Sequence, residues 1–242
     1  MDSEINIKII LKTLILFPLF MIFIMFPLCV FIVLTAFIPK GRVLATKLYE
    51  FFGWIGIVLV GIKLEVIGLE KINTEKSYVV IGNHPSTLDI FTHITALPIS
   101  IRFLTKTELF RIPIFGRVLK TLGLPRIDRK NAKANFEKIN ESINEVIQLG
   151  NSIMIFPEGK RSNQKELLPF KKGAAYIAKD FNLPIIPVVS HNAHNLMTKG
   201  KVWLKSGEVK IEILDPIYNV NDYDVDKLTS ELESLIRSKL YT

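Results

Sequence analysis

The 242-residue sequence predicts an α/β fold: a mixed, mostly parallel sheet covered by helices, preceded by an N-terminal hydrophobic membrane helix or helical hairpin. Three observations predict it. A long charge-free run opens the chain. Short apolar runs alternate with amphipathic stretches after it. Glycine-containing charged blocks fall directly behind those short runs. The expected division is a membrane-associated helical region over 1–62 and an α/β domain over 63–242.

From Thr13 to Pro39 the chain carries no charged residue, a run of 27. A bilayer core needs about 20 apolar residues in a helix. Pro18 and Pro27 are expected to interrupt or kink this one. The run is too long for the roughly 7–15-residue apolar core of a signal peptide, and Thr35-Ala36-Phe37 is a poor cleavage site. A second apolar stretch, Phe51 to Ile62, has 12 residues. That is short for spanning. It reads as a re-entrant or interfacial helix, with Trp54 suited to the interface, or as a helix buried on the domain. Lys8 and Lys12 precede the first run; Lys40, Arg42 and Lys47 follow it. The positive-inside bias then places the C-terminal side in the cytoplasm.

From Lys63 onward the pattern changes. Val79-Val80-Ile81, Ile153 to Phe156 and Ile185 to Val189 read as buried strands. Val209 to Leu214 alternates and reads as a half-exposed strand. Ala132 to Leu149 places Phe136, Ile139, Ile143, Val146 and Ile147 at helical spacing, and Gly150 ends it. Val225 to Leu240 is a second amphipathic helix. Strands alternating with helices argue for a sheet covered by helices.

The formal net charge of +8 suits an anionic partner: nucleic acid, anionic lipid or a phosphorylated substrate. No nucleic-acid module is recognisable, and a membrane segment argues against that partner. The one cysteine, Cys29, excludes an internal disulfide and a Cys-based zinc site.

His84 follows the strand Tyr78 to Gly82, at a strand end where α/β sites form. Asp89 lies five residues on. A regular helix would turn these two about 140° apart, so they meet only if His84 sits in a turn and Asp89 in the first helical turn. Pro85 favours that arrangement. Ser86-Thr87-Leu88-Asp89 also fits a capping box, which gives Asp89 a purely structural reading. The chemical reading is that histidine accepts a proton near neutral pH while the carboxylate fixes its tautomer. The nucleophile would then be an acceptor alcohol. Ser86 lacks the Gly-x-Ser-x-Gly setting of a hydrolase nucleophile.

Phe156-Pro157-Glu158-Gly159-Lys160-Arg161-Ser162 places a carboxylate, a glycine and two cations at another strand end. A carboxylate accepts bonds from hydroxyls, and Arg clamps phosphate. The plain alternative is a charged surface turn. Gly123 to Arg129 is a second basic turn, with a surface ion pair at Asp128 as its plain reading. Lys106 follows another strand and either faces the cleft or is solvated. Phe170-Lys171-Lys172-Gly173-Ala174 reads mainly as a solvated face.

The blocks NHPSTLD, GLPRIDR, FPEGKRS and LPIIPVV occur in this order over about residues 75–195. In that, the chain resembles the glycerolipid acyltransferase family that includes 1-acylglycerol-3-phosphate (lysophosphatidate) acyltransferase. The first and third blocks are the specific ones. The resemblance implies His84 as general base with Asp89 as its partner. It implies that Arg129 binds the acceptor phosphate, that Glu158 and Gly159 bind the glycerol phosphate with Arg161 nearby, and that Pro187 shapes the donor side. Lys106 joins the site as a candidate cation. It further implies an acyl-CoA or acyl carrier protein donor, a lysophosphatidate acceptor in membrane phospholipid, and no metal or bound cofactor. Three positions depart from the family pattern: Pro85 where Gln is common, Lys160 where Thr is commonest, and Arg126 where an apolar residue is usual. They leave the reaction class intact and the acceptor preference open, with another lysolipid or glycerol 3-phosphate itself as the alternative. The rival of another class is a non-catalytic basic module on an anionic membrane surface. It would not require His84, Asp89 and Glu158 to converge.

Overall fold

The computed structural model describes residues 5–128, 136–162, 166–198 and 200–241. Two helices come first. Helix α1 (Ile7–Phe37) and helix α2 (Gly41–Val60) are each long and apolar enough to cross a membrane. The prolines do not break α1. A wide π-helical turn precedes each one, at Lys12–Leu16 and Met21–Met25, and Pro18 and Pro27 sit second in the α-helical segments that follow. Proline lacks the N–H of the regular ladder and crowds the carbonyl four residues back, and a widened turn accommodates both. Helix α2 corrects the 12-residue reading of Phe51 to Ile62. It begins ten residues earlier and has 20 residues. Its Ala45, Tyr49, Gly53, Gly56, Ile57 and Val60 face the fold, whereas Val43, Leu44, Phe51, Trp54 and Val58 are exposed.

The α/β part follows. The main sheet has six strands in the order β1-β8-β7-β2-β6-β3. These are β1 (Ile62–Ile67), β2 (Val79–Gly82), β3 (Ile101–Phe103), β6 (Ser152–Ile155), β7 (Ile185–His191) and β8 (Gly207–Ile213). All neighbours run parallel except β7 and β8. A two-stranded parallel ladder joins β4 (Thr105–Lys106) to β5 (Arg126–Ile127). The helices are α3 (Asp89–Ala96), α4 (Phe115–Thr121), α5 (Phe136–Gln148), α6 (Gly173–Asp180), α7 (Ala193–Leu196) and α8 (Val225–Leu240). The sequence expectation for α5 began at Ala132; positions 129–135 lie outside the described residues.

The sheet divides the interior into two cores, because successive strand side chains point to opposite faces. Val80, Met154, Ile186 and Val188 join α1, α2 and α3 on one face. Val79, Ile81, Ile153, Ile155, Ile185 and Val189 join α5, α6 and α8 on the other. The apolar hairpin is therefore part of the first core along its length: Phe20, Met25, Leu28 and Ile32 of α1 are buried. Polar ties fix it as well. Lys12 Nζ donates to the Val60 carbonyl (2.9 Å), the Leu204 N–H to Thr13 Oγ1 (3.0 Å), and the buried Arg102 guanidinium to Thr46 Oγ1 (2.7 Å).

The first of these ties changes the charge argument for orientation. The start of α1 meets the end of α2 beside the domain, so Lys40, in the turn, and Arg42, in the first turn of α2, lie at the other end of the hairpin. The sequence reading had counted them on the domain's side.

The parallel register aligns the ends of the central strands. Ile81 is level with Ile155 and Pro187, and Gly82 with Val188. The segments that leave β2, β6 and β7 thus emerge at one edge, as in other open α/β sheets.

Candidate active site

His84 leaves β2 and is fixed from three sides. Its backbone N–H donates to Glu158 Oε1 (2.7 Å), and its carbonyl accepts from the Ser162 N–H (3.2 Å). Asn83 beside it extends the pairing with β7 by side chain: Nδ2 donates to the Ser190 carbonyl (2.9 Å), and Oδ1 accepts from the Ser190 N–H (2.7 Å). These bonds leave the His84 backbone little freedom.

The imidazole meets Asp89 as the turn geometry requires. His84 Nδ1 lies 2.8 Å from Asp89 Oδ2, and Asp89 begins α3. The same oxygen accepts the Ser86 N–H at 2.8 Å, while Oδ1 accepts from Ser190 Oγ at 3.3 Å. The reach back to Ser86 is half of a capping box. Asp89 thus caps the helix start and holds the histidine with one carboxylate. It is fully buried, whereas the His84 side chain keeps 18% of its exposure. A carboxylate on Nδ1 puts the proton there in the neutral ring and leaves Nε2 as the basic nitrogen. Ser86 Oγ is committed to the Met197 carbonyl (2.9 Å), which removes it as a nucleophile.

Glu158 braces the site. Oε1 takes the His84 N–H and Oε2 the Leu168 N–H (2.9 Å), and the residue is buried. Burial pushes its carboxyl up, against the opposing pull of those two N–H groups and the nearby His84 ring. Gly159 follows at φ 72°, with Lys171 folded across it: a Cβ at Gly159 would stand 2.9 Å from Lys171 Nζ. Arg161 Nη1 bonds Thr87 Oγ1, which ties the third block to the first. Lys106 is half exposed and pairs with Glu108 at 3.2 Å. Arg129 lies outside the described residues. Pro187 is buried inside β7, level with Ile81.

A cavity of about 760 Å³ opens beside His84. It falls within the range of small-molecule sites, roughly 300–1,000 Å³. Its walls include Leu28 and Ile32 of α1, Tyr49 and Phe52 of α2, and Val118 of α4, with Lys106, Gly159 and Lys171 also on it. Its surface is mainly carbon and a few cations, which suits an amphiphile with an acyl chain and an anionic head. Among the described residues no group of three or more His, Cys, Asp and Glu is placed to hold a metal.

The structure therefore brings together His84, Asp89, Glu158, Gly159 and Arg161, with Lys106 on the same cavity. The sequence reading missed Lys171, treated as a solvated face, and gave Phe156, the first residue of the third block, no role of its own. The Phe156 ring stacks on His84 with centroids 4.0 Å apart and planes 7° apart. A signal existed for Phe156, which opens a block already singled out.

The acyltransferase family model matches residues 63–191, and the chain belongs to that family. Within it, the chain is 33% identical over 191 residues to the 1-acyl-sn-glycerol-3-phosphate acyltransferase of Limnanthes alba, a match covering 78% of this chain and 67% of that protein. The enzyme of the same name from Borreliella burgdorferi is 32% identical over 192 residues, 78% of this chain and 76% of its own. The crystal structure of the 1-acyl-sn-glycerophosphate (LPA) acyltransferase PlsC from Thermotoga maritima superposes with a TM-score of 0.78 over 98% of this chain and 95% of that one, at 23% identity. That likeness is one of fold.

Proposed function

We propose that the chain transfers a fatty acyl group from acyl-CoA or acyl carrier protein to the sn-2 hydroxyl of 1-acylglycerol 3-phosphate, giving phosphatidate for phospholipid synthesis. The observation that carries the reading is the His84–Asp89 pair, joined at 2.8 Å and opening on an apolar cavity. In the scheme, the acceptor hydroxyl gives its proton to His84 Nε2 as its oxygen attacks the thioester carbonyl. Asp89 stabilises the imidazolium. The tetrahedral oxyanion then collapses, the C–S bond breaks, and His84 returns the proton to the departing thiolate. The protein supplies no covalent nucleophile, and no metal or cofactor enters the scheme.

Arg161, Lys106 and Arg129 would balance the acceptor phosphate, which carries about −1.5 to −2 charge at neutral pH. Glu158 and Gly159 would shape the glycerol site. The division at residues 62 and 63 belongs to the same reading, with a membrane-associated hairpin before it and a catalytic domain after. The hairpin packs on the domain along its length and leaves Phe23, Phe31, Phe37 and Trp54 exposed. That supports attachment to a membrane surface, where such side chains enter the acyl boundary. Lys8 and Lys12, at the end of the hairpin that meets the domain, favour the cytoplasmic face.

The test is turnover with a panel of lysolipids and both donors, with products identified by mass. Wild-type protein is expected to make phosphatidate, and His84→Ala to make none while remaining folded and membrane-bound. Equal turnover by the two proteins would overturn the mechanism.

A further inference from the structure

One buried histidine takes no part in the scheme above. His93 lies one helical turn beyond Asp89 on α3 and is fully buried. Its Nδ1 lies 2.7 Å from the Asp89 carbonyl, an acceptor only, so Nδ1 carries the hydrogen. Among the described residues Nε2 has no hydrogen-bond partner. A buried nitrogen left in that state costs free energy and calls for an explanation. Leucine would fill the same core position without an orphaned nitrogen. Burial holds the His93 imidazole below its usual range, against the pull of Asp89, so the ring is neutral.

The ring also meets Thr92 Oγ1, 3.5 Å from Nδ1, and the ring of Phe156. The two planes meet at 88°, with centroids 5.6 Å apart. Phe156 in turn lies flat on His84. A Cβ at Gly82 would stand 3.3 Å from His93 Nε2, tighter than ordinary contact, so glycine there leaves the ring its room. The result is a continuous chain of groups: Asp89 carbonyl, His93, Phe156, His84 and back to the Asp89 carboxylate. Both ends of the loop are one residue.

We propose that His93 is a positioning residue for the proton transfer: anchored on the Asp89 carbonyl, it sets the Phe156 ring, and Phe156 holds the His84 imidazole in the plane where Nδ1 meets Asp89 and Nε2 is left to the cavity. Neither His93 nor Phe156 exchanges a proton with substrate. Their role is orientation, and small misplacement of a reacting group is costly to rate. The inference rests on His84 being the base.

The test is a double-mutant cycle on the full chain in detergent, with kcat, KM for the acceptor and Tm measured for each protein. His93→Leu and Phe156→Leu are each expected to lower kcat by about ten- to a hundred-fold with KM within about two-fold, as for a misaligned reacting group. Because the two act through one path, the double variant is expected to lose no more than the worse single. If the losses multiply, or if kcat is unchanged in His93→Leu, the proposal is overturned. A fall in kcat that only tracks a fall in Tm overturns it too. Should His93→Leu fail to fold, His93→Gln keeps an N–H within reach of the Asp89 carbonyl and removes the ring, and the same cycle decides. His84→Ala separates the two ideas. If it keeps wild-type kcat, the general-base reading falls and this inference with it; if it is inactive while the losses multiply, this inference falls alone.

Discussion

Asp89 carries two duties on one oxygen, and its chemistry follows from that crowding. Oδ2 accepts both the His84 ring hydrogen and the Ser86 N–H. Asn at this position offers one oxygen and an amide that donates, so it cannot enforce the same histidine tautomer. Asp89→Asn is expected to lower kcat by about 10³–10⁴-fold with acceptor KM little changed, the size of effect known for a triad aspartate. Steady-state assays on the purified variant check it. A second prediction concerns pH and stability. An unfolded histidine protonates as pH falls through about 6.5, whereas buried His93 stays neutral to lower pH. The unfolded chain then binds more protons, so His93 makes stability fall as pH drops below about 6.5, by up to about 1.4 kcal/mol per unit. Above that range its contribution is flat. The Tm difference between pH 7 and pH 5 is expected to shrink in His93→Gln. An unchanged difference would show that the ring is not the group responsible.

At the scale of elements, the contact between α2 and α3 decides whether the hairpin seats. Gly53 and Gly56 let the helices approach closely. A Cβ at Gly56 would stand 2.1 Å from Phe91 Cδ1, and one at Gly53 would stand 2.5 Å from Ile94 Cγ2. Neither gap admits a methyl group without repacking, and overpacking of this kind costs about 1–3 kcal/mol. Gly56→Ala is expected to lower Tm measurably. Gly173→Ala serves as the control: nothing lies within 4 Å of its would-be Cβ, and it sits at the start of a helix. There alanine is expected to be neutral or mildly stabilising, by up to about 1 kcal/mol. Thermal melts of the two variants in one detergent compare them directly.

At the scale of the whole molecule, the cavity runs between the hairpin, α4 and α6, so the two apolar helices form one wall of the site. Leu28 and Ile32 of α1 line it together with Val118 of α4. Filling this end shortens the space for an acyl chain. Ile32→Trp is expected to shift products toward shorter chains, read by mass from a mixed pool of donors, with turnover of short-chain donors retained. The outward face belongs to this scale too. Phe23, Phe31 and Phe37 are all well exposed. Replacing them with Ser is expected to weaken vesicle co-sedimentation without lowering Tm, since none supports the core.

Much of this was legible along the chain. Val79 to Ile81 and Ile185 to Val189 read as strands because burial on both faces demands continuous apolar residues. His84 and Asp89 read as a turn and a helix start because Pro85 and the helical pitch allow little else. Those are local constraints, and a sequence states them directly. The sequence alone therefore determined the strand–helix alternation, the apolar N-terminus and the blocks that mark the family. Only the tertiary structure decided the rest. An interruption or a kink was expected at Pro18 and Pro27; α1 is not interrupted, since widened turns accommodate the prolines. The length of α2 was misread because Arg42, Lys47 and Glu50 interrupt the apolar run in its first half. Phe156 reached His84 and His93 through contacts between segments far apart in sequence, and such contacts leave no periodic trace. Which charges bear on orientation was decided there too: the side of the hairpin on which a lysine falls is set by how two helices fold back on a domain, which no local charge count contains.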